Sequence, residues 1–71
     1  MTQYEAEVIC TLAEIQSLII EGEGEPVFFN FVPEERADVL RILRAKGYVA
    51  QHVGYMSRLF GEHEYKIWWP K

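Results

Sequence analysis

Val27-Phe28-Phe29-Asn30-Phe31-Val32, followed directly by Pro33-Glu34-Glu35-Arg36-Ala37-Asp38-Val39-Leu40-Arg41-Ile42-Leu43-Arg44-Ala45-Lys46-Gly47, is the stretch that decides the fold. All of the first six residues except Asn30 are β-branched or aromatic, and Pro26 and Pro33 bound them, so they read as a strand. Apolar residues on both faces of that strand predict an interior place in a sheet. At Pro33 the pattern changes to helical spacing. A proline in the first turn lacks only an N–H that a helix leaves unpaired anyway. Glu34 and Glu35 stand at the positive end of the helix dipole, and Arg44 and Lys46 at the negative end. Val39, Leu40, Ile42 and Leu43 form the stripe to be buried, and Gly47 ends the helix.

Upstream, Tyr4, Val8, Thr11, Leu12, Ile15, Leu18 and Ile19 recur at three- and four-residue steps, which predicts one amphipathic helix over residues 3–21. Thr2 and Glu5 form a capping box, and Gly22 is a natural stop. A second Thr-x-x-Glu, Thr11 to Glu14, supports a competing reading in which Tyr4–Ile9 is a strand and the helix starts later. The unbroken stripe favours the single helix. Glu21-Gly22-Glu23-Gly24-Glu25-Pro26 is a loop of glycines, a proline and mutually repelling carboxylates.

Downstream, Tyr48–Gly54 and Glu64–Trp69 are strand candidates, with Tyr55–His63 closing a hairpin around Gly61. The expected order is α-β-α-β-β, or β-α-β-α-β-β if Tyr4–Ile9 is extended. The expectation is a single α+β domain over residues 1–71. It is a small two-layer α/β sandwich with both helices on one face of a three- to four-stranded mixed sheet. The strands flanking the second helix should run parallel, and the last strand antiparallel to its predecessor.

Composition sets the outer bounds. The chain has 71 residues, 49% apolar, 14% aromatic and 25% charged, an ordinary globular share. A chain this short hides only about 60–65% of its unfolded surface, so its stability is modest. Cys10 is the single cysteine, so no internal disulfide staples the fold. No basic segment precedes an apolar run at the amino terminus, and no apolar run is long enough for a bilayer. The expectation is a cytoplasmic protein with no membrane partner. Charge is uneven. Residues 1–32 carry six glutamates and no basic residue, whereas residues 33–71 carry seven basic against five acidic residues. Two helices balancing one another account for this better than a partner-steering field does.

Catalysis finds little support. Cys10 lies among Glu7, Ile9, Thr11 and Glu14, and carboxylates push a thiol away from the reactive thiolate. His52 and His63, with Glu62 and Glu64, are metal-ligating types, but Glu-His-Glu alternates faces when extended and no third ligand is in place. No phosphate loop or Ser-His-Asp spacing appears. The expectation is no catalytic, cofactor or metal site, and no enzyme. A small Cys10-dependent carrier or enzyme stands as the third alternative.

The aromatic residues point elsewhere. Side chains alternate along a strand, so Trp68 and Trp69 cannot both face inward. Taking Tyr65, Ile67 and Trp69 as the buried set turns Lys66 and Trp68 outward, with Phe28, Asn30 and His52 beside them if the registers agree. In the hairpin, Met56, Leu59 and Phe60 flank Arg58; aromatic, Met and Arg residues are types enriched at interfaces, and folding of the three apolar side chains back over the core is an equal reading. The favoured reading is a non-catalytic protein-interaction module, an adaptor or inhibitor. It would bind a protein partner through Met56, Arg58, Leu59, Phe60, Lys66 and Trp68, or pair as a homodimer. Such a small, acidic, motif-free chain has the character of phage and mobile-element accessory proteins. The alternative is single-stranded RNA or DNA stacking on an aromatic sheet face. It is disfavoured by the acidic balance, sequence pI about 5.0.

Overall fold

The computed structural model describes residues 1–57 and 61–70, with side chains for all of these except 55–57. Helix α1 spans Gln3–Glu21 and is held at its start by the expected capping box. The Glu5 amide donates to Thr2 Oγ1 at 3.1 Å, and the Thr2 amide donates to Glu5 Oε1 at 3.4 Å. The competing strand at Tyr4–Ile9 is therefore excluded. The chain then forms β1 (Val27–Phe31), α2 (Pro33–Ala45), β2 (Val49–Ser57) and β3 (Glu62–Trp68). Helix α2 begins at Pro33, as its missing donor allows.

Strands β1, β3 and β2 lie side by side in that order. β3 pairs antiparallel with each neighbour, with Val27 opposite Ile67 on one side and Ala50 opposite Ile67 on the other. β1 and β2 consequently run parallel, as expected for strands flanking α2. β3 lies between them, so every hydrogen-bonded pair is antiparallel rather than mixed. This arrangement also corrects the place of β1, which is an edge strand and not an interior one. Among the described residues, no layer of protein covers its second apolar face. Phe28 stands 57% exposed there.

Burial follows the two helical stripes and the alternate strand positions. Val8, Ile15 and Ile19 of α1 and Val39, Leu40 and Leu43 of α2 close over Phe31 of β1 and Ile67 of β3. Phe31 sits edge-on to Phe29 at 5.1 Å and to Tyr65 at 5.5 Å. Edge-to-face aromatic pairs add to stability beyond their buried area. The helices are clasped at the top by Tyr4, whose hydroxyl donates to Asp38 Oδ2 at 2.5 Å. That bond raises the Tyr4 phenol above its ordinary value and holds the Asp38 carboxyl below its own. A second polar tie joins Thr11 Oγ1 to Glu35 Oε1 at 2.7 Å.

Trp69 departs from the expected buried set. β3 ends at Trp68, and Trp69 lies beyond it, 50% exposed. Its ring meets Tyr48 edge-on at 4.8 Å. The close approach depends on Gly47, which has φ 100° and where a Cβ would come within 3.3 Å of the indole.

Candidate functional site

Two side-chain constellations in the structure could carry function: the face of the sheet turned away from the helices, and a histidine pair near the hairpin.

The bare face follows from register. Directly opposite residues in antiparallel strands share a face. Phe28 faces Lys66, Asn30 faces Glu64, Gln51 faces Lys66, and Val49 faces Trp68. Each of these alternates with a core residue such as Phe31 or Ile67, so all of them lie away from the helices. Lys66 and Trp68 are therefore brought together on this face as expected, with Phe28 and Asn30 beside them. Lys66 Nζ lies 5.5 Å from the centroid of the Trp68 ring, which places the cation over the indole. Trp68 and Lys66 are half-buried, whereas Phe28 and Asn30 are exposed. Val53 adds a further exposed apolar residue at a break in the β2–β3 register.

His52 does not join them. It faces Tyr65 across β2 and β3, which puts it on the helix side. There its Nε2 lies 2.8 Å from Nδ1 of His63, a distance at which one ring donates to the other. The His52 ring also stands 5.1 Å from Tyr65. Burial, then the positive charge of Arg36 and then His52, pushes the His63 imidazole below its ordinary value. Sequence reasoning missed this pair because the extra residue in β2 between His52 and Gly54 resets the cross-strand partners. Glu62 and Glu64 fall on the opposite side of β3 from His63, as alternation requires. Among the described residues, no three His, Cys, Asp or Glu side chains are gathered to hold a metal.

Cys10 is exposed on α1. Of the hairpin residues expected to bind a partner, Arg58, Leu59 and Phe60 lie outside the described residues, as does the side chain of Met56. Among the described residues, no helix is long and apolar enough to cross a membrane. Comparison of the chain with protein-family models, with curated proteins and with solved structures finds no match.

Proposed function

We propose that this chain is a non-catalytic protein-interaction module that binds a partner protein on the bare face of its sheet. The observation that supports it most is the company of Phe28 and Trp68 on a side that neither helix covers, with Val53 exposed at the break in β2. Water-facing aromatic and apolar side chains gathered on one surface mark an interface more often than scattered ones do. Trp68 is the proposed anchor. It is half-buried and held by Lys66, so little side-chain freedom remains to be lost on docking. Phe28 supplies exposed area beside it, and the acidic first third of the chain steers a basic partner. Action as an adaptor or inhibitor follows from occupying the partner's surface without chemistry.

Stacking of single-stranded nucleic acid on the same rings is the weaker reading. Lys66 stands two residues from Glu64 on the same face, a poor balance for holding phosphates. Affinity capture with the wild type, Phe28→Ala and Trp68→Ala, followed by reconstitution with the purified partner, tests the proposal. The expected result is one partner lost by both variants and retained by Ile20→Ala, a change on α1. Retention by both face variants, or binding of a single-stranded oligonucleotide that weakens steeply with salt, refutes it.

A further inference from the structure

The two edges of the sheet are unlike. Along β2 the pairing with β3 slips twice, between His52 and Gly54 and between Tyr55 and Ser57. Such bulges twist an edge and spoil it as a template for another strand. β1 pairs with β3 without a slip from Val27 to Phe31, and it contains neither a charge nor a proline. Among the described residues β1 has β3 as its one sheet neighbour. Its other side therefore offers a smooth row of backbone donors and acceptors.

A cleft runs along that side. It measures about 200 Å³ and is lined by Phe29, Asn30, Phe31 and Val32 with Thr11 and Glu35. Consecutive strand residues point to opposite faces, so Phe29, Asn30 and Phe31, with Val32 just beyond the strand, line one cleft only where it follows the backbone edge. The Thr11–Glu35 hydrogen bond ties its two helical lining residues together. The surroundings are acidic. Glu23 and Glu25 precede the strand, and Glu34 and Glu35 follow it.

We propose that the β1 edge takes up an extended segment of a partner protein by strand addition, the segment being apolar at alternate positions and bearing Lys or Arg at both ends. Main-chain hydrogen bonds to Val27–Phe31 supply the pairing, and one guest side chain on the helix side fills the cleft. The basic ends meet the glutamates that flank β1. A second copy of this chain is a poor guest. Antiparallel pairing of β1 with itself sets Glu23 and Glu25 of each copy against Glu34 and Glu35 of the other. The edge shares Phe28 and Asn30 with the bare face but is used through its backbone, so the two proposals are told apart by which amides respond.

The test is an amide-resolved NMR titration of the full chain with three synthetic peptides. One alternates Val and Thr between Lys-Lys ends, the second carries Glu-Glu ends, and the third is the lysine peptide with alternate amides N-methylated. The lysine peptide is expected to shift and protect the amides of residues 27–31 and to shift Thr11, more weakly as salt is added. The glutamate and N-methylated peptides are expected to bind at least about tenfold more weakly, as is the lysine peptide to Asn30→Lys. The circular dichroism of that variant should match the wild type. No binding of the lysine peptide overturns the proposal. So do equal affinity for the N-methylated peptide, shifts centred on Gln51 and Trp68 instead, or a dimer of the free chain in sedimentation.

Discussion

The two faces of the sheet are built by the same alternation and meet opposite fates. Phe31 and Phe28 stand three residues apart on β1, yet Phe31 is 1% exposed and Phe28 57% exposed. On the helix side, apolar side chains interlock with α1 and α2 and carry the stability of the molecule. On the other side, chemically similar residues meet solvent and carry almost none. Residue type alone does not separate core from contact surface in a chain this small. What separates them is which side the helices cover.

The sharpest way to break this comparison is to truncate one phenylalanine on each side. Phe31→Ala leaves a cavity worth about 3–5 kcal/mol, a large part of the roughly 4–10 kcal/mol available to a domain of this length. Phe28→Ala should change stability by no more than about 0.5 kcal/mol. Urea denaturation followed by tryptophan fluorescence measures both, and equal losses would erase the distinction between the faces.

A smaller effect is expected at Gly61. Its φ of 66° is left-handed, and a Cβ there would come within 2.9 Å of Pro33 Cγ. Gly61→Ala should cost about 1–2 kcal/mol for the backbone alone, with the Pro33 contact adding to it. An unchanged thermal midpoint would show that the hairpin end does not press on the start of α2.

The helix side also holds the histidine pair. His63 is held below its ordinary value, so the unfolded chain binds the proton more readily than the folded one. Stability is then fully present above about pH 6.5 and falls as the pH drops below it. Asp38 acts in the same direction at lower pH, because its depressed carboxyl is lost on protonation below about pH 4. Thermal melts from pH 7.5 to 5.0 should therefore show a decline that His63→Gln flattens, and a flat wild-type profile would contradict it.

The smallest effect is a gain. Gly54 lies on β2 with open space where a Cβ would be, and its φ is not left-handed. Gly54→Ala should stabilise the chain by about 0.5–1 kcal/mol, the usual cost of glycine in a regular element. A loss there would mean that the break in register at Val53 needs the glycine.

Much of the fold was legible because it is written locally. Thr2 and Glu5 mark the start of α1, the stripe from Val8 to Ile19 marks its buried side, and Pro33 marks the start of α2. The outward pairing of Lys66 and Trp68 followed from alternation within a single strand. Errors arose where a distant partner decides the outcome. The aromatic run of β1 resembles an interior strand because nothing within it reveals that β3 will occupy one side only. β2 runs on to Ser57 and β3 begins at Glu62, beyond the predicted limits, because each continues as long as the other pairs with it. The His52–His63 contact was illegible for a related reason. It depends on a one-residue insertion in the ladder that leaves no mark in composition.

β3 is the last element of the chain, yet it is the middle of the sheet. Val27 must wait for Ile67, dozens of residues later, before it has any neighbour to pair with. A ribosome that has delivered everything up to β2 has produced two helices and two strands that cannot touch each other. Pairing of the sheet therefore depends on long-range closure through β3. A nascent chain stopped short of residue 62 should remain open to proteases even with both helices, β1 and β2 already made.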